Sequence, residues 1–210
     1  MKIRERERKD NLHLIGEEEL ISNEDKLLKQ VYSTFTGRLS FEDFQDKLNS
    51  LSVDKWDFVR AVMLYQQSVN CTKCNPNVGM VLLCSCADAL RLVAEERSRA
   101  NFMKFYLDYC PTSLRTPPIE YYPNGRTPKV TAPFDKALYY IYKKFRCLYV
   151  HRGIGRLDIT PEIEGVEIID FPLLDKIKGE SDAYAVYIEK VPEWFEKVTL
   201  ESLYTLLTTT

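Results

Sequence analysis

A mainly α fold is predicted: a helical bundle interrupted by one long proline-rich loop and completed by a small β/α extension at the C-terminal end. Three observations predict it. Apolar residues recur at three- and four-residue spacing from about residue 23 to residue 156. Six of the ten prolines fall between Pro111 and Pro133, a density that neither a helix nor a central strand tolerates. Beyond residue 156 the apolar residues form short stretches, followed by one more helical pattern.

Residues 1–22 mix charge types without an apolar period and read as a lead-in. At Ser22-Asn23 an N-cap is expected, with Glu24 and Asp25 in the first turn and Leu27, Leu28, Val31, Tyr32 and Phe35 on one stripe, ending at Gly37. Ser40 opens a second helix whose Phe41, Phe44, Leu48 and Leu51 share a face. A third, from about Asp54 to Asn70, carries Trp56, Val59 and Met63 on one stripe and Phe58, Val62, Tyr65 and Val69 on another, which implies a central place. Asn75-Pro76 reads as an N-cap with proline at the first helical position, opening a long helix to about Ser98. Between Val78 and Leu90 only Ser85 and Asp88 are polar. An unpaired carboxylate in such a segment would cost several kcal/mol or be protonated, so Asp88 requires a cation or a strong donor.

Residues 111–133 are expected to form a long loop, which in a compact domain is often a binding loop. Arg115, Tyr121, Tyr122, Arg126 and Lys129 supply rings and charges there that suit bases and phosphates; a plain surface insertion is the alternative. Phe134 to Val150 is a strong amphipathic helix with Leu138, Ile141, Tyr142, Phe145 and Leu148 in register, ended by Gly153 and Gly155. Val166–Ile169 and Tyr184–Ile188 are candidates for a small hairpin or sheet, and Pro192 opens a terminal helix with Trp194, Phe195, Val198, Leu203 and Leu207. The expected division is therefore a lead-in at 1–22, a helical domain at 23–156 with its core at 55–155, and an extension at 157–210 packed on the bundle.

Composition narrows the functional classes. The chain has 45% hydrophobic residues, and 29 Lys plus Arg against 31 Asp plus Glu, a net charge of −2. That excludes a disordered scaffold and a general nucleic-acid coat. The start, MKIRERERKD, lacks the apolar stretch of a secretory signal, and no run approaches the roughly 18 apolar residues of a bilayer span, so a soluble cytoplasmic protein with no membrane partner is expected. A reducing compartment argues against a disulfide framework for the six cysteines. Cys71-Thr-Lys-Cys74 has zinc-like spacing but needs two more ligands, and Cys84 and Cys86, two apart on a helix, point about 200° away from each other. Buried thiols and a turn are expected, with no metal or other cofactor.

Only two histidines, His13 and His151, are available for acid–base chemistry near neutral pH. His13 lies in the lead-in, whereas His151 lies at the end of the strong helix. The charge around it is far from neutral. Residues 111–156 hold nine Lys and Arg against Glu120 and Asp135, or +7, leaving −9 for the rest. Lys143, Lys144, Arg152 and Arg156, with Arg126 and Lys129 from the loop, therefore offer an RNA-binding surface beside His151. Arg146 stands five residues before His151, roughly 140° around a regular helix and about 7.5 Å along it, so the two cannot grip one atom from one such helix. A frayed helix end or a second copy across a two-fold axis would let them line one cleft. A histidine favoured by the helix dipole and an arginine on a half-exposed face are the plainer alternative.

The stretch LYYIYKKFRCLYVHRG resembles the signature helix of the HEPN superfamily (higher eukaryotes and prokaryotes nucleotide-binding), whose motif is an arginine, four to six residues and a histidine. MVLLCSCADALRLV resembles the apolar helix of its Apea-like group, with Asp88 at the place of the embedded carboxylate. The resemblance covers residues 55–155. It implies an all-α bundle, a homodimer whose Arg/His helices face each other, and a metal-independent endoribonuclease of toxin or antiviral type, with a cognate antitoxin or regulatory protein as a further partner. His151 would act as general base or acid on the ribose 2′-hydroxyl or leaving oxygen, and Arg146 would stabilise charge on the scissile phosphate, leaving a 2′,3′-cyclic phosphate. Asp88 would orient Arg146 or His151, or simply satisfy a buried arginine. Cys147 departs from the pattern, since the residue after the motif arginine is often polar in active members. It favours the second reading, an inactive HEPN module that binds RNA, a nucleotide or a protein partner.

Overall fold

The computed structural model describes residues 17–93, 98–122, 130–147, 173–176, 183–186 and 190–209, which are mainly helical. The chain divides into two units, Met1–Asp46 and Lys47–Thr210.

In the first unit, α1 (Glu17–Tyr32) begins earlier than the expected cap, so Ser22 and Asn23 lie inside the helix. A 3₁₀ turn, Ser33–Phe35, follows, and Gly37 takes the left-handed conformation (φ 84°) that reverses the chain without a Cβ penalty. The Tyr32 ring lies 5.2 Å from that of Phe41 and 5.7 Å from that of Phe44, and its hydroxyl donates to the Leu39 carbonyl at 2.8 Å. Ser40 caps α2 (Phe41–Asn49) by accepting the Asp43 N–H at 3.0 Å while donating to the Asp43 carboxylate at 2.6 Å.

In the second unit, α3 (Lys55–Thr72) starts at Asp54, whose carboxylate accepts the N–H groups of Trp56 and Asp57. Phe58, Val59, Val62 and Tyr65 are buried, but Trp56 is 41% exposed: in the first turn its ring lies beside the Lys55 ammonium, not on the core. A tight turn at residues 73–74 leads to α4 (Pro76–Ala89), capped by Asn75 Oδ1, which accepts the Val78 N–H. The two helices approach closely at Gly79, where any Cβ would overlap Thr72. α4 is the hub of the unit, packing on α3 and on the helices that follow, with Met80, Leu83, Cys84, Cys86 and Ala87 fully buried.

α4 does not run on to Ser98 as expected. It ends at Ala89, after Leu90 the chain turns through Arg91 in a left-handed conformation (φ 49°), and a separate helix, α5 (Ser98–Tyr109), follows. Phe102, Phe105 and Tyr106 of α5 are fully buried. Their spacing of three and four is a helical signal in its own right.

The described part of the proline-rich stretch, residues 111–122 and 130–133, is not all loop. It holds a 3₁₀ turn (Thr112–Leu114), β1 (Ile119–Tyr122) and β2 (Val130–Thr131). β1 is even an interior strand of an antiparallel sheet of order β2-β1-β4-β3, completed by β3 (Leu173–Lys176) and β4 (Ala183–Val186). The prolines bracket β1 at 117, 118 and 123 without entering it, so every residue of the strand keeps its N–H for the ladder. β4 pairs on its two sides with β1 and β3. Its hairpin partner is thus Leu173–Lys176, whereas the expected Val166–Ile169 lies outside the described residues.

α6 (Phe134–Ile141) passes directly into a π-helical segment, Tyr142–Cys147. α7 (Lys190–Thr208) has Pro192 in its first turn and buries Phe195, Val198, Leu203 and Leu207. The Tyr106 hydroxyl lies 3.0 Å from both the Leu83 carbonyl and Thr199 Oγ1, joining α4, α5 and α7 in the core. Among the described residues, no helix is long and apolar enough to cross a membrane, and no three His, Cys, Asp or Glu side chains gather as a metal ion would need.

Candidate functional site

The polar residue that breaks the apolar run of α4 meets the arginine of the C-terminal motif. Asp88 stands on the last turn of α4, and Arg146 on the π segment that packs against that helix. Asp88 Oδ2 accepts hydrogen bonds from Arg146 Nη2 at 2.8 Å and from Nε at 3.2 Å. The side chains are 23% and 18% exposed, so the pair sits at the margin of the core. Asp88 Oδ1 is buried and has no hydrogen-bond partner among the described residues.

Burial weighs against charge on both partners, with opposite outcomes. At Asp88 desolvation prevails over the attraction and hydrogen bonds of Arg146, and holds the carboxyl above its ordinary value. At Arg146 burial works downward but the Asp88 charge and hydrogen bonds outweigh it, so the guanidinium remains protonated. One face of that guanidinium is further supported by the ring of Tyr142, whose centroid lies 5.2 Å from Cζ. Tyr142 is itself buried and its ring lies 5.3 Å from that of Phe102 on α5. Arg146 is thus held by a carboxylate from one helix and an aromatic platform from its own.

The π winding is part of this arrangement. Isolated π turns are rare within α-helices and frequent at functional sites, and their i→i+5 hydrogen bonds bring residues five apart closer to one face than α winding does. Lys143 and Lys144, on the same segment, are half-buried, and Lys143 Nζ lies 5.8 Å from the centroid of the Tyr139 ring. His151, Arg152, Arg156, Arg126 and Lys129 lie outside the described residues, as does His13.

Arg115, a charge the sequence offered for phosphates, is engaged by backbone carbonyls. It donates to the Cys110 carbonyl at 2.9 and 3.0 Å and to the Leu107 carbonyl at 2.7 Å, closing the C-terminal end of α5, and its guanidinium lies over Phe134. Tyr121 sits on the interior strand β1. Tyr142, placed by the apolar register among core residues, is also a site residue: four before Arg146, it has the spacing at which helical neighbours meet.

All six cysteines are free thiols. Cys84 and Cys86 are fully buried, and desolvation above all drives both thiols far up. Cys147, beside Arg146, is half-buried.

Fold and site together define a mainly helical domain with a small antiparallel sheet and a marginally buried Asp–Arg pair joining two helices. In comparisons with protein-family models, curated protein sequences and solved structures, nothing matches this chain.

Proposed function

We propose that this protein is a HEPN-type, metal-independent endoribonuclease that acts in the cytoplasm as a homodimer, in a toxin or antiviral role. In this reading Arg146 stabilises charge on the scissile phosphate, His151 moves the proton of the ribose 2′-hydroxyl or of the leaving oxygen, and Asp88 is a positioning residue for Arg146. The observation that carries it is the bond between Asp88 Oδ2 and Arg146, two residues 58 positions apart that belong to the two segments bearing the HEPN resemblance. The +7 charge of residues 111–156 suits a polyanion, and RNA carries its own nucleophile, so no metal is needed for the chemistry. A toxin of this kind would be held by a cognate antitoxin or regulatory protein.

The test is cleavage of structured and unstructured RNA in EDTA by wild type, Arg146→Ala and His151→Ala. Cleavage by wild type alone is expected; equal cleavage by all three would end the enzyme reading.

Cys147 favours a second reading, an inactive HEPN module that binds RNA, a nucleotide or a protein partner. A small, weakly polar side chain stands there where active members often place Asn, Asp or His. That reading predicts salt-sensitive RNA binding without product.

A further inference from the structure

One turn before the Tyr142–Arg146 contact, the half-buried ring of Tyr139 is flanked by two cations. Arg99 Cζ, from α5, lies 5.9 Å from the ring centroid, and Lys143 Nζ lies 5.8 Å from it. Arg99 is exposed and Lys143 half-buried. Among the described residues, neither forms an ion pair or hydrogen bond with any other side chain, although acidic residues make up more than half of the charged residues of the chain. Both distances are close to the outer limit of about 6 Å for a cation–π contact, so the ring holds these cations weakly and an anion can recruit them.

We infer that Arg99, Tyr139 and Lys143 form a subsite for single-stranded nucleic acid, in which the two cations bind backbone phosphates and an unstacked base lies against the tyrosine ring. An aromatic ring with two cations over it is the pairing of features by which single strands are held without sequence readout. A duplex keeps its bases stacked inside and cannot use the ring. An acidic peptide would use the charges but leave the ring idle. The subsite adjoins the proposed reaction site: Lys143 and Arg146 are three residues apart on one segment, and Phe102, one turn after Arg99, touches Tyr142 beneath the Arg146 guanidinium. Assigning RNA as the single strand rests on the proposed function; the subsite itself rests on these three side chains.

The test separates the two. The probe is a short, labelled, unstructured oligonucleotide with 2′-O-methyl groups throughout, which lacks the nucleophile and cannot be cut by 2′-hydroxyl attack. Wild type is compared with the Arg99→Gln/Lys143→Gln double variant and with Tyr139→Leu, which keeps an apolar side chain at the half-buried position. All three are first checked for an unchanged melting temperature. Loss of two phosphate contacts predicts a salt-dependence slope lower by roughly 1.4 for the double variant. Loss of one stacked base predicts binding at least about five-fold weaker for Tyr139→Leu. Equal affinity and slope in wild type and the double variant would overturn the subsite, as would tighter binding of the corresponding duplex or of polyglutamate. Because the probe is uncleavable, a protein that binds it as predicted yet never cuts RNA loses the enzyme reading and keeps the subsite.

Discussion

Asp88 Oδ2 receives both hydrogen bonds that Arg146 directs at the carboxylate, while the buried Oδ1 receives none from the described residues. A buried carboxylate oxygen without a donor is costly, and the oxygen that is satisfied depends entirely on one guanidinium. The Asp88→Ala/Arg146→Ala double-mutant cycle should therefore show a coupling of about 1–3 kcal/mol in chemical unfolding. A coupling near zero would mean that the two side chains do not depend on each other.

The same asymmetry sets a pH dependence. Asp88 has its folded pKa raised by burial, so the native state binds this proton more tightly than the unfolded chain does. Its contribution to stability is favourable at low pH, and falls as pH rises from the ordinary carboxylate range through the folded value. Arg146→Ala should consequently destabilise more at neutral than at acid pH, because protonating Asp88 at low pH removes the charge that has lost its partner. Carbon NMR of the Asp88 carboxyl in wild type should show a midpoint above the ordinary aspartate value of 3.8; a midpoint at or below it contradicts the balance described.

Tyr106→Phe should cost about 1–2 kcal/mol, because it removes a fully buried hydroxyl that lies 3.0 Å from groups on α4 and α7. The ring packing against Phe102 and Phe195 would persist, so the loss should appear as a lower denaturation midpoint with an unchanged denaturant slope.

Gly79→Ala should destabilise by about 1–3 kcal/mol, since the added methyl would overlap Thr72 Oγ1 and approach Thr72 Cα to 3.0 Å. Gly79→Ala combined with Thr72→Ala loses the overlapping Oγ1 but still meets the Cα and Cβ of residue 72, so the second change should restore only part of the loss.

Thiol labelling of the native protein should divide the cysteines. Cys74 is exposed and should react first, followed by the half-buried Cys71 and Cys147. Cys110, pushed up to about 11 chiefly by desolvation, and the fully buried Cys84 and Cys86 should react only on unfolding. Rapid modification of Cys84 in the folded protein would contradict the packing of α4.

Much of this architecture could be read from local chemistry. The caps at Ser40, Asp54 and Asn75 are where the side-chain oxygens and the following proline indicate, because capping depends on three or four adjacent residues. The need of Asp88 for a cation was equally legible, since burial of the surrounding helix follows from composition alone. Three features were not. The end of α4 rests on Arg91 adopting a left-handed conformation without glycine, which no local signal marks. The strand at Ile119–Tyr122 depends on a partner more than 60 residues away, and the density of nearby prolines hid it. The meeting of Arg99 with Tyr139 is likewise tertiary, although the spacing of Tyr139 and Lys143 places those two together on any helix.

The chemistry of the cut ends tests the central claim most directly. RNA incubated with wild type in EDTA, then analysed by mass spectrometry, should yield 2′,3′-cyclic phosphate and 5′-hydroxyl ends, and one 2′-deoxy substitution at the cleaved position should abolish that cut. Ends bearing a 5′-phosphate and a 3′-hydroxyl, or cleavage that survives the deoxy substitution, would contradict a reaction in which the 2′-hydroxyl attacks a phosphate held by Arg146.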